Sequence, residues 1–72
     1  MHDIDLFKKK LGKRIAYLRD KGNFTQAELG ALINKDYQSI SRIENGRINA
    51  SGFILKQIAD ALGVSMNEIF DI

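Results

Sequence analysis

The sequence predicts an all-α fold of five short helices, and three observations carry that prediction. Apolar residues recur at helical spacing in each candidate segment. Thr25, Asp36, Ser51 and Ser65 stand immediately before four of those segments, where a side-chain oxygen caps a helix N-terminus. Asn34, Gly46 and Gly63 stand where three of them stop, as residues that tolerate the left-handed backbone of a helix end. The helices are expected at about residues 5–21, 25–33, 36–45, 51–62 and 66–70, with no sheet.

In the first segment Phe7, Leu11, Ile15 and Leu18 form a stripe at i, i+4, i+8 and i+11, with Asp3 or Asp5 near its start. Lys8, Lys9, Lys10, Lys13 and Arg14 lie mostly off that stripe. The second segment opens on a capping box, Thr25 and Glu28, with Phe24 and Leu29 placed as a hydrophobic staple. Leu29, Leu32 and Ile33 are its expected inner face. Gly30 costs roughly 1 kcal/mol relative to alanine in a helix, which makes sense if another helix crosses closely. Asn34 ends this helix and Asp36 caps the next, so the turn between them is short enough to fix their angle.

The third segment has two unlike faces. Ile40 and Ile43 share one; Tyr37, Gln38, Ser41 and Arg42 share the other. Those four polar groups suit the edges of bases in duplex DNA: glutamine can bond adenine bidentately, arginine guanine, serine either, and a tyrosine ring can pack on a thymine methyl. A helix of this size and polarity fits the major groove. An ordinary solvated helix face uses the same residue types, and the pattern alone leaves both readings open.

Ser51 caps a fourth segment carrying Leu55, Ile58, Ala59 and Leu62, and Ser65 caps a fifth offering Met66, Ile69 and Phe70 before Ile72. Some of these residues must close the core. So apolar an end, with little chain left to cover it, also suits a dimer seam.

Composition narrows the classes. A chain of 72 residues reads as one domain, 1–72, and a domain so small buries only about 60% of its unfolded surface. It must be packed economically or gain stability from a partner. There is no cysteine, hence no disulfide framework and no thiolate. No apolar run approaches the roughly 20 residues needed to span a bilayer, and no signal-peptide pattern stands at Met1; the expected compartment is the cytoplasm, with no membrane partner. No catalytic triad, metal-ligand cluster, phosphate loop or cofactor motif is present, so the chain is not expected to be an enzyme, to hold a metal or cofactor, or to take a small-molecule substrate. His2, the lone histidine, reads as incidental.

Net charge is only +2, but it is unevenly spread. From Lys8 to Arg47 ten Lys and Arg face four Asp and Glu, whereas both remaining stretches are net acidic. The positive charge belongs to the first three helices. It suits a polyanion, and equally an unevenly charged solvated surface.

Taken together, Gln26, Ala27, Glu28, Leu29, Gly30, Ile33, Asn34, Ile40, Ser41, Ile43, Glu44 and Gly46 resemble the helix-turn-helix of the lambdoid-phage repressor and Cro family. LGKRIAYLR at Leu11 to Arg19 is similar to that family's first helix, and LKQIADALGVSMNEIF at Leu55 to Phe70 to its fourth and fifth. The resemblance implies a compact five-helix, repressor-like DNA-binding domain with the helix-turn-helix at the second and third helices. It also implies a sequence-specific regulator that uses Tyr37, Gln38, Ser41 and Arg42 on bases and Gln26, Lys35, Ser39, Asn45 and Arg47 on the sugar-phosphate backbone. Gln26, by resemblance, also braces the first residue of the recognition helix, and its place at a helix N-terminus independently favours an anion. Arg47 has the alternative of sensing a narrow minor groove. Arg19 is placed opposite Glu44 as a partly buried ion pair. One or two lysines of the first helix can touch phosphate, although a solvated face is the simpler account of that run.

Three positions depart from the family pattern. Lys35 stands where an apolar residue is usual, so either the turn is looser or the lysine stem packs while its ammonium reaches phosphate. Ala50 replaces a common proline. Gly52 and Phe53 suggest that an apolar contact has moved by one position, making Phe53 a core anchor or, alternatively, an exposed interaction residue. A homodimer on a palindromic duplex is the expected assembly, meeting through Met66, Ile69, Phe70 and Ile72, with Phe53 as an addition. The competing reading is a protein-interaction module or antitoxin on the same fold, against which Gln38 and Arg42 on the exposed face argue.

Overall fold

Ile15, Leu29, Ile40, Ile58 and Ile69 are the largest fully buried side chains, and each comes from a different helix. The computed structural model describes residues 3–72; the reading of His2 as incidental lies outside them. Among the described residues there are five helices and no strand: α1 (Asp3–Lys21), α2 (Gln26–Leu32), α3 (Tyr37–Glu44), α4 (Gly52–Leu62) and α5 (Met66–Ile69). Leu11, Leu18, Ile33, Ile43, Leu55 and Ala59 complete the core around the five central residues. α3 packs between α2 and α1, and α5 joins α4 to α1.

The expected caps are all formed. Thr25 and Ser65 each make a reciprocal capping box, with Glu28 and Glu68 respectively. Asp36 accepts from the Ser39 N–H, and Ser51 from that of Ile54. At the other ends, α1, α2, α3 and α4 stop alike. The residue after each helix-ending turn has positive φ, at Asn23 (64°), Asn34 (59°), Gly46 (70°) and Gly63 (70°). The following N–H reaches five residues back, as in Phe24 to the Arg19 carbonyl and Lys35 to that of Gly30, which satisfies carbonyls that the last turn leaves free. Asn23 is the one stop that the sequence reading did not identify.

Several expectations change. α1 begins two residues earlier than predicted, at Asp3. Leu32 is exposed rather than inward, because α2 is a helix of seven residues and Leu29 and Ile33, one turn apart, already occupy its buried side. Phe7 leaves the core stripe and stacks on Phe70, ring centroids 6.3 Å apart. Phe53 is 71% exposed, so it is not a core anchor; Ile54, the next residue, packs on the core instead. Ile69 is wholly buried within its own chain and is unavailable to a dimer seam.

Two glycines are explained by contact rather than by helix ends. A Cβ on Gly12 would lie 2.5 Å from the carbonyl oxygens of both Ile43 and Glu44, so α1 crosses the end of α3 at backbone contact. A Cβ on Gly30 would lie 2.7 Å from the Lys35 carbonyl oxygen. What comes close to Gly30 is therefore the turn into α3, not a crossing helix. Arg14 ties the end of the chain to α1, its Nε donating to the Glu68 carbonyl at 2.8 Å.

Candidate nucleic-acid interface

α3 is amphipathic by residue identity, and the fold uses both faces. Ile40, Ile43 and Glu44 are buried; Tyr37, Gln38 and Arg42 are exposed and Ser41 half-buried. Tyr37, Gln38, Ser41 and Arg42 line one polar groove of about 320 Å³ together with Asn45 and Arg47. Six of the residues predicted to touch DNA thus converge, from positions spanning eleven residues. Asn45 donates from Nδ2 to Ser41 Oγ at 3.2 Å, so these two hold each other. No side-chain hydrogen bond within the described residues engages Gln38 or Arg42.

The end of α3 is fixed by a buried polar knot. Glu44 is buried; Arg19 donates from Nε to its Oε2 at 2.6 Å and from Nη2 to its Oε1 at 3.0 Å. This two-pronged geometry matches a guanidinium to a carboxylate. Arg19 also donates to the Phe24 carbonyl and to Asp20. Its pKa is raised, chiefly by the hydrogen bonds to Glu44, so it stays charged throughout. Gln26 completes the knot, Nε2 donating to Glu44 Oε1 at 3.0 Å. The sequence reading had it bracing the first residue of α3; here it braces the last. The reason is local: Arg19 takes one lone pair on each Glu44 oxygen, and Gln26, in the first turn of α2, donates its amide to a remaining one on Oε1.

At the beginning of α3 the hold is lighter. Asp36 is held below the usual carboxylate range, first by the Ser39 backbone N–H, then by the Ser39 side chain, with Arg42 adding a favourable charge. Lys35 is exposed in the turn and Ser39 half-buried behind the cap. The turn is not loosened by Lys35: its backbone N–H makes a 2.7 Å bond to Gly30. Sequence reasoning missed Gly12 as a positioning residue. Its only signal was a glycine inside a strongly periodic helix.

This arrangement of a short α2, a tight turn and an α3 with one free polar face has known counterparts. The helix-turn-helix family profile matches residues 15–69. The chain belongs to the helix-turn-helix family, in its lambdoid repressor and Cro branch of DNA-binding transcriptional regulators. It is 35% identical over 71 residues to the control protein C.MunI of a Mycoplasma species, an alignment covering 97% of this chain and 92% of that one. A competence pilus inhibition repressor of Acinetobacter baylyi is 32% identical over 60 residues, 83% of this chain and 54% of the repressor. A mimivirus helix-turn-helix regulator is 37% identical over 62 residues, and there the match spans 27% of the relative's length. Among solved structures, the restriction-modification controller protein C.AhdI of Aeromonas hydrophila superposes with a TM-score of 0.91 at 29% identity, over 96% of this chain and all of that one. The clp gene regulator ClgR of C. glutamicum gives 0.86 at 25% identity, covering 89% and 82%.

Proposed function

We propose that this regulator reads duplex DNA by laying α3 in the major groove as a homodimer on a palindromic operator, acting in the cytoplasm as a repressor or controller and by binding alone. The observation that carries the reading is the polar groove of α3. Gln38 and Arg42 stand exposed in it, without side-chain hydrogen bonds among the described residues, on a helix whose opposite face and far end are immobilised. Free donors on a rigid element are what base recognition needs, since the backbone is already placed and only the side chains must be ordered on binding. Gln26, Lys35, Ser39, Asn45 and Arg47 are assigned to the flanking sugar-phosphate backbone. For Gln26 the assignment carries a condition, because its amide must leave or share Glu44 to reach a phosphate. The similarity to the controller proteins C.MunI and C.AhdI over nearly the whole of each chain favours a controller.

Changing Gln38 or Arg42 to alanine is expected to cost roughly 1 to 3 kcal/mol of binding and to relax preference at particular base pairs. Titration of fluorescent duplexes selected from random sequence measures both. If Arg42→Ala leaves the ranking of operator variants unchanged, the assignment of that face to bases is wrong. A protein-binding module would show neither affinity for the duplex nor a steep salt dependence.

One α3 reads few base pairs, and two copies about one helical turn (~34 Å) apart would double the contacts. With Ile69 withdrawn into the core, the proposed seam is Phe70 and Ile72, both exposed, with half-buried Met66 and with Phe53 as an outlying addition. Phe7, stacked on Phe70, extends it onto α1. Sedimentation should find two chains per palindromic site, reduced by paired Phe70→Glu and Ile72→Lys substitutions. Strictly one chain per site at saturation overturns the dimer.

A further inference from the structure

Eleven Lys and Arg are present, and within the described residues only four of them pair with a carboxylate: Lys8 with Asp5, Arg14 with Asp71, Arg19 with Glu44 and Asp20, and Lys56 with Asp60. Of the rest, three stand together. Lys9, Lys10 and Lys13, with the apolar Leu6 among them, line a single groove of about 410 Å³ that also includes Glu44 and Asn45. The one carboxylate there does not offset them, because Arg19 and Gln26 occupy its oxygens. The groove is therefore a concentrated, uncompensated positive charge.

Its position is rigid and its neighbour is informative. A Cβ on Gly12 would strike the last carbonyls of α3, and one on Gly46 would lie 2.9 Å from the Lys9 Cα. The backbone of α1 between those points is thus pressed against the end of the recognition helix, and Lys9 and Lys13 flank the contact. Asn45 belongs both to this groove and to the polar groove of α3, so the two are continuous around one residue. Beyond Asn45 the surface continues over the three lysines and Leu6. Like charges gathered on a fixed support repel unless a polyanion lies over them.

We propose that Lys9, Lys10 and Lys13 form a second phosphate-binding track, which takes the duplex backbone outside the segment read by α3 and lengthens the footprint along the flanking DNA. The track rests on the reading of α3 as a DNA-binding helix and adds to it a binding surface on α1. Its ligand is the phosphate of the same duplex, without regard to base sequence.

The test compares wild-type protein with the triple variant Lys9→Gln, Lys10→Gln, Lys13→Gln on one selected duplex from 50 to 200 mM salt. Every lysine–phosphate interaction removed should shrink the ratio of affinities across that range by about 3.5-fold, because the slope falls by roughly 0.9 per phosphate. The order of preference among operator variants should stay the same. Lys56→Gln, which removes one charge away from the groove, should leave the slope unchanged, and arginine at all three positions should keep it. Trimming the duplex flanks should weaken the wild type more than the triple variant. All three lysines are exposed, so the variant is expected to keep its helical circular dichroism. A folded triple variant with an unaltered slope, or equal weakening of both proteins on the trimmed duplex, overturns the track while leaving base reading by α3 intact. A wild-type protein that binds no duplex overturns both.

Discussion

The two ends of α3 are held by different means. At its C-terminal end the grip is made of side chains: Arg19 and Gln26 converge on buried Glu44, and the backbone of Gly12 lies against the last carbonyls. At its N-terminal end the grip is backbone packing, with Gly30 against the turn, plus the single exposed side-chain cap of Asp36, and the side chains from Lys35 to Gln38 are exposed. The difference is instructive because a reading helix has two requirements that compete for the same side chains. It must be positioned closely, and its donors must stay free. Concentrating the buried side-chain hold at one end and leaving backbone contacts and one exposed cap at the other meets both.

Glu44→Ala should break the comparison most severely. It strands Arg19, whose side chain is only 12% exposed and whose charge cannot be shed. Removing one partner of a buried pair costs about 3 kcal/mol or more, and the Phe24 carbonyl and Asp20 that remain to Arg19 place the loss near the lower figure. Against a total stability of roughly 5 kcal/mol for a small domain, that is most of the fold. Urea unfolding followed by circular dichroism measures it. The double variant Arg19→Met, Glu44→Leu should recover much of the loss, since it buries no lone charge. A single variant within about 0.5 kcal/mol of wild type, the scatter of ordinary surface changes, would mean that the knot positions nothing.

Gly12→Ala tests the backbone part of the same grip and should cost less. Overpacking typically costs about 1 to 3 kcal/mol, and the better helix propensity of alanine returns roughly 1 kcal/mol. Because the atoms met are backbone, which cannot swing aside, the overpacking cost should lie at the upper end of that range, leaving a net loss of roughly 2 kcal/mol with a shift of α1 away from α3. Gly52→Ala sharpens the result. A Cβ there meets nothing within 4 Å, so alanine should be tolerated without loss. Equal melting temperatures for the two variants would show that the close crossing at Gly12 relaxes freely.

Much of this asymmetry was legible in the sequence, and the illegible part has a physical cause. Caps were readable because they depend on near neighbours in sequence: Thr25 with Glu28, Asp36 before Tyr37, Ser65 before Met66; the pairing of Ser65 with Glu68 came only with the structure. The exposed face of α3 was readable because helical period alone separates Gln38 and Arg42 from Ile40 and Ile43. The Arg19–Glu44 pair came from family resemblance, not from spacing, since nothing local links residues 25 apart. Close approaches between helices were not readable at all. Gly12 looks like any helix-weakening glycine until the Ile43 and Glu44 carbonyls are in place, and the inward turn of Ile69 depends on where α1 lies. Phe53 and Leu32 failed for a related reason: an apolar residue at a plausible phase is exposed when its neighbour, Ile54 or Ile33, takes the buried place.

The N-terminal hold should respond least, and only to acid. The Asp36 carboxyl is kept below its ordinary range by the Ser39 N–H, so the folded chain binds that proton less readily than the unfolded one. A depressed folded pKa contributes stability that is full above the unfolded value, near 3.9, and is lost as pH falls from there through the folded value. At neutral pH, Asp36→Asn should be close to wild type, because an asparagine oxygen also accepts from Ser39. On acidification the two melting temperatures should converge further, as the wild type loses a contribution the variant never had. The shift is small because Asp36 is solvent-exposed, and that is the point of the comparison. Protonating this cap should loosen the first turn of α3 without disturbing the Arg19–Glu44 end, so amide exchange should quicken at Ser39 before it does at Ile43. Simultaneous loss of protection along the helix would show instead that α3 opens as one unit and that its two ends are not independently held.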